Sequence, residues 1–256
     1  MTSAEPTADR QVADKVVLVT GSGRGLGASL ARAAGSAGAR VVVNCRHDQR
    51  PAEALGEQIR REGGTALVHR ADVREFEQAR GLVEETLKAY GRVDVLLNTV
   101  GGFAWKPVAE TEPAEWRGMM ASNLDSVYHM CRLVIPHMRR QHWGRIVNLG
   151  AVGAERTLGQ PKVAAYSAAQ AAVIAFSKAL ALEEARSGIT VNVVCPGVLS
   201  DGGALPEQPG MSLGDRVPVG RPGTPDDVVR AVLFFASPAA GFVTGQVLAV
   251  AGGWRL

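Results

Sequence analysis

The chain has 256 residues, 46% of them hydrophobic and 21% charged, which is enough apolar material for one large core. Its net charge of +3 comes from 28 basic and 25 acidic residues with no basic run, and this excludes a nucleic-acid arm. Cys45, Cys131 and Cys195 are isolated and odd in number, which excludes a disulfide framework and a zinc site, and no apolar run approaches membrane-spanning length.

The polar start MTSAEPTADRQVAD lacks the apolar stretch of a signal peptide and reads as a flexible tail over 1–13, with one domain over 14–256. A cytoplasmic protein is expected. From there short β-branched runs alternate with helical patterns. Strands are predicted at 15–20, 40–44, 65–70, 93–98, 145–150, 190–195 and 246–251; helices at 26–37, 51–62, 75–89, 113–139, 164–187 and 225–236. Val- and Leu-rich strands imply a sheet covered on both faces. The β-α alternation makes it an α/β, single-domain, doubly wound parallel sheet of Rossmann-like type. Two loops, G-G-F-A-W-K-P and D-G-G-A-L-P-E-Q-P-G-M-S-L-G, follow the fourth and sixth strands, where open α/β sheets bind ligands. The second, from Asp201, is read as a substrate lid. The 164–187 helix is apolar or small on nearly every side and calls for a second partner, a homodimer or homotetramer built on this helix and on 113–139.

T-G-S-G-R-G-L-G (20–27) joins the first strand to the first helix. Gly21 allows a tight turn, Gly25 a close approach of backbone to a pyrophosphate, and Gly27 close packing of helix on strand, while the helix N-terminus supplies free N–H groups. An NAD-preferring site carries an acid at the end of the second strand. Here that strand runs V-V-V-N-C-R-H, and Arg46 with Arg24 would clamp a 2′-phosphate, so the expected cofactor is NADP(H). His129, His137 and His142 show no metal-ligand clustering, so no metal is expected.

These motifs, in this order, resemble the short-chain dehydrogenase/reductase family, with the closest look to its ketoacyl-carrier-protein reductase branch, over nearly the whole chain from Asp14. The resemblance implies cofactor contacts from Gly21, Ser22, Arg24, Gly25, Leu26 and Gly27, and from Asp72 and Val73 at the adenine. It implies further contacts from Asn98 and Gly101 of N-T-V-G, and from Pro196 and Gly197 beside the nicotinamide. It also implies a tyrosine that protonates a carbonyl (Tyr166) and an active-site asparagine (Asn123). Two family side chains are replaced. The lysine four residues after the tyrosine, one helical turn on, is Gln170, and the serine three residues after Asn148 is Ala151. The family reading is an NADP(H)-dependent oxidoreductase reducing a ketone on a small organic or carrier-bound substrate, with Tyr166 donating the proton and Gln170 on the ribose. The double replacement keeps open a non-redox isomerase, dehydratase or cyclase, or a silent NADP(H)-binding protein. Lys162 and Lys106 are candidate surrogate cations, and Glu155, Arg156 and Asp201 candidate acids or bases without a spacing that supports them. Phe103 and Trp105 are candidates for an apolar substrate wall.

Overall fold

A computed structural model of the protein describes residues 11–200 and 216–255. The expected lid and Asp201 lie outside the described residues. Seven parallel strands form one sheet in the order β3-β2-β1-β4-β5-β6-β7. They are β1 (Val16–Val19), β2 (Arg40–Cys45), β3 (Thr65–Arg70), β4 (Val95–Asn98), β5 (Gly144–Leu149), β6 (Ile189–Pro196) and β7 (Val247–Val250). Helices α1 (Gly25–Ser36), α2 (Arg50–Arg61), α3 (Phe76–Tyr90), α4 (Pro113–Met120), α5 (Ser126–Gln141), α6 (Ala164–Glu184) and α7 (Pro225–Ala236) complete it.

The period-2 geometry of a strand sorts the apolar residues into two cores. Val17 and Val19 of β1 face one core with Leu30 of α1 and Val232 and Phe235 of α7. Val16 and Leu18 face the other, with Leu82 of α3, Met130 and Val134 of α5, and Val173 and Leu180 of α6. Strand order reverses at β1, whose neighbours are β2 and β4, and the loops that leave β1 and β4 open side by side. This is the switch point at which doubly wound sheets hold ligands.

Three expectations are corrected. Val12 is fully buried in the first core, so the ordered fold reaches back into the stretch assigned to a tail. The single helix expected over 113–139 is divided by a π-helical turn, Ala121–Asp125. Its cause is local: the Asn123 side-chain amide donates to the Met119 carbonyl at 2.9 Å, competing with the backbone for that acceptor. Finally, the stretch Ala164–Ser187 is long and apolar enough, by length and composition, to cross a membrane. It packs instead along β6, and its buried Glu184 takes two hydrogen bonds from Arg139, at 2.8 and 2.5 Å.

Candidate active site

The cofactor end is assembled mainly from backbone. Gly21 has φ +62°, and a Cβ there would stand 2.8 Å from Val100 Cγ2. At Gly27 a Cβ would meet Thr99 Oγ1 at 2.6 Å and the Gly21 carbonyl at 2.8 Å, so only glycine lets α1 approach the β4 loop this closely. Gly25 adopts φ +55°, and α1 begins behind Arg24 with no side-chain cap and no acid in its first turn. Its leading N–H groups are thus left for an anion. Arg24 and Arg46 are exposed and make no ion pair among the described residues.

Several predicted contacts turn out to be internal braces. The Ser22 hydroxyl donates to the Val19 carbonyl at 2.8 Å and accepts from the Asn44 N–H at 3.0 Å, fully buried. The Asn98 side chain points into the fold and donates to Asn148 Oδ1 at 2.8 Å, and Asn148 in turn donates to Ser177 Oγ at 2.9 Å. Ser22 and Asn98 therefore have only backbone to offer a nucleotide. Val73 is buried, and its carbonyl contacts His129 Nδ1 at 3.1 Å. Asp72 is gripped by Arg74 at 2.6 Å, which holds its carboxyl below the usual range, with Arg46 adding to the effect. Sequence reasoning missed Arg74, though it stands two residues beyond the acid. It also missed Asn44, whose Oδ1 accepts from the Gly21 N–H at 3.1 Å and whose amide reaches the Ala71 carbonyl at 3.0 Å, tying the glycine turn to β2 and β3.

At the other end Tyr166, Gln170 and Asn123 come together as expected. Gln170 Nε2 donates to Asn123 Oδ1 at 3.0 Å, and the Asn123 amide donates to the Met119 and Gly102 carbonyls at 2.9 and 3.1 Å. At Gly101 a Cβ would lie 2.8 Å from Asn123 Oδ1, so a side chain there would push on this hydrogen-bonded amide. The Tyr166 hydroxyl has no hydrogen-bond partner among the described residues, and Phe103 packs edge-on against its ring at 5.1 Å. Burial, with a smaller contribution from Cys195, pushes the phenol up to about 12, and no cation opposes this. Lys106 is bound to Glu115 at 2.7 Å, and Lys162 is exposed at φ +66° with its carbonyl taken by the Lys106 N–H at 2.6 Å. Neither lysine replaces the missing one. Glu155 has one carboxylate oxygen buried without a partner and the other 3.5 Å from Arg156; burial, with a smaller contribution from Glu155, raises the Cys195 thiol.

Two cavities meet at Tyr166. The smaller, about 260 Å³, is lined by Gly101, Asn123, Gln170, Pro196 and Gly197 among others. The larger, about 690 Å³, is mainly apolar and includes Phe103, Trp105, Ala151 and Trp254 in its wall. Tyr166, Phe103, Pro196 and Gly197 line both. Gln170 Oε1 is buried without a hydrogen-bond partner, although the residue lines the smaller cavity. An unsatisfied acceptor in such a place fits a ribose hydroxyl, so this chain's residues suit the nicotinamide half of a dinucleotide. No cluster of His, Cys, Asp or Glu suited to a metal occurs among the described residues.

A glycine turn at the switch point of a parallel sheet, leading to a tyrosine between two cavities, defines the class as a dinucleotide-binding α/β protein. The family profile described as Enoyl-(Acyl carrier protein) reductase matches residues 21–255. The chain is 36% identical to the 3-oxoacyl-[acyl-carrier-protein] reductase FabG of Haemophilus influenzae, over 94% of this chain and 98% of that one. It is 38% identical to the L-fucose dehydrogenase of Oryctolagus cuniculus, over 95% of this chain and 86% of that one. A gluconate 5-dehydrogenase from Burkholderia cenocepacia, solved in complex with NADP and tartrate, superimposes with a TM-score of 0.89 at 37% identity, covering 96% of this chain and 97% of that one. The chain belongs to the short-chain dehydrogenase/reductase family, whose members are oxidoreductases that use a nicotinamide cofactor.

Proposed function

We propose that the protein is an NADP(H)-dependent carbonyl reductase of the cytoplasm in which Tyr166 donates the proton. The observation that carries this is Tyr166, which lines both cavities and whose phenol burial raises to about 12, with no cation acting on it among the described residues. Such a phenol is ionised to only about one part in 10⁵ at pH 7, so it is supplied as a donor and almost never as a base. NADPH, when bound, supplies the hydride. The α1 N-terminus receives the pyrophosphate, Arg24 and Arg46 flank the 2′-phosphate, and Gln170 Oε1 accepts from the nicotinamide ribose. Asn123 holds Gln170 in place. Ala151 gives the carbonyl oxygen no second donor, which for a comparable donor lowers the rate on the order of 10²-fold. The outcome is a slow reductase biased toward reduction.

A homodimer or homotetramer is part of this reading. Ala175, Ala179 and Leu182 are exposed on α6, and Trp116 and Tyr128 are exposed on α4 and α5. Light scattering of the purified protein is expected to give two or four chains per particle.

The central test measures NADPH and NADH affinity by fluorescence titration, and NADPH consumption over a panel of ketones. Tighter binding of NADPH with measurable ketone turnover is expected. NADPH binding without turnover, with turnover appearing only in Gln170→Lys/Ala151→Ser, would leave the silent cofactor-binding reading in its place.

A further inference from the structure

The larger cavity contains one feature that carbonyl reduction does not use. Its wall is mostly aromatic, aliphatic and glycine, with Leu158, Val198, Leu199 and Trp254 among the apolar members, yet Arg255 also lines it. Arg255 is the only charged side chain among the described lining residues. It is fixed in three ways. Its backbone turns at φ +60°, its carbonyl accepts from Arg156 Nη2, and its Nη1 donates to Gln160 Oε1 at 2.6 Å. The guanidinium carbon stands 5.6 Å from the Trp254 ring. Gln160 is uncharged, and no acid pairs with Arg255 among the described residues.

A guanidinium has five N–H donors, and here one hydrogen bond from it is accounted for. A cation fixed at an apolar wall, with no counter-ion among the described residues, gains most from an anion that enters the same cavity. The planar fork matches a carboxylate, and one carboxylate balances its single charge; a phosphate monoester would bring excess negative charge against apolar walls. Tyr166 lines the same cavity.

We infer that the substrate is an oxo acid with an apolar body, its ketone at Tyr166 and its carboxylate seated on Arg255. The inference rests on the reductase reading for the ketone, while the carboxylate seat stands on Arg255 alone.

The test uses aryl oxo acids of graded length, from 2-oxo-2-phenylacetate to 5-oxo-5-phenylpentanoate, each beside its methyl ester. At the best-fitting length the acid is expected to exceed its ester about 10- to 100-fold in kcat/KM, mainly through KM. Arg255→Gln is expected to bring that ratio to within about threefold, and Arg255→Lys to give an intermediate ratio. Melting temperatures check that both variants fold. Ester turned over as well as acid by the wild type, or an acid preference that survives Arg255→Gln, overturns the seat and leaves the reductase standing. Calorimetry on the NADP-loaded protein separates the two failures. If no ketone is turned over but acids bind more tightly than esters, and Arg255→Gln removes the difference, the seat holds and the reductase reading falls. If no acid binds in preference to its ester, the seat is overturned.

Discussion

At the β1–α1 end the groups offered to a ligand are mainly backbone N–H donors and bare glycines, with the exposed Arg24 and Arg46 beside them; at the other end they are side chains, Tyr166 and Gln170 of α6 and Asn123 of the π-turn. The two ends have fared differently. The first retains what phosphate binding asks of it, with Gly21 and Gly25 at positive φ and Gly27 against Thr99. At the second, Gln170 stands one helical turn after Tyr166, Ala151 three residues after Asn148, and no cation acts on the phenol among the described residues. Cofactor capture and chemistry are therefore separable in this fold. The first is distributed over a turn and a helix terminus, so it tolerates few changes of shape. On the proposed function the second resides in a few side chains, so single substitutions would change it without disturbing the frame.

The largest expected break falls on the chemical end. Tyr166→Phe is expected to lower ketone reduction about 10³-fold while NADPH affinity, read by fluorescence titration, changes little. Restoring the missing side chains sharpens the contrast next. Reduction requires the protonated phenol and alcohol oxidation the phenolate. With Tyr166 near 12, reductive turnover should stay level between pH 6 and 10, while oxidation rises about tenfold per pH unit. Gln170→Lys places a cation one helical turn away and lowers that pKa. Oxidation near pH 8 should then gain about 10²-fold, and a falling limb should enter the reductive profile at alkaline pH. Stopped-flow pH profiles in both directions check this.

The cofactor end gives smaller effects. Arg24→Ala/Arg46→Ala is expected to weaken NADPH binding about 30-fold and NADH binding hardly at all, measured side by side. Gly27→Val forces a side chain against Thr99 and the Gly21 carbonyl. It should cost about 1–3 kcal/mol of stability, visible as a melting temperature lower by a few degrees, with weakened binding of both nucleotides.

Legibility in the sequence followed the same division. The seven strands and the glycine turn could be read because β-branched runs and glycine spacing are local signals. Tyr166, Gln170 and Asn123 were brought together as the four-residue spacing and the motif order implied. The hydrogen bond from Gln170 to Asn123 joins residues 47 positions apart and has no local sign. The inward turn of Asn98 toward Asn148 and of Ser22 toward Asn44 was equally hidden, because both motif residues could face a nucleotide or the core. That the chain at Asn123 would take a π-helical turn could not be read, because helical periodicity carries no mark of a side chain taking an i−4 carbonyl.

By itself the sequence determined the layered sheet, the place of the glycine turn, and the presence of Gln170 one helical turn after Tyr166 and of Ala151 three residues after Asn148. Each depends on residue identity at short range. Only the tertiary structure decided that neither Lys106 nor Lys162 acts on Tyr166, that Gln170, which lines the smaller cavity, keeps an unpartnered acceptor, and that Arg255 joins the wall of the larger one. Those outcomes depend on which side chains distant in the chain come within hydrogen-bond reach, and packing settles that, not spacing.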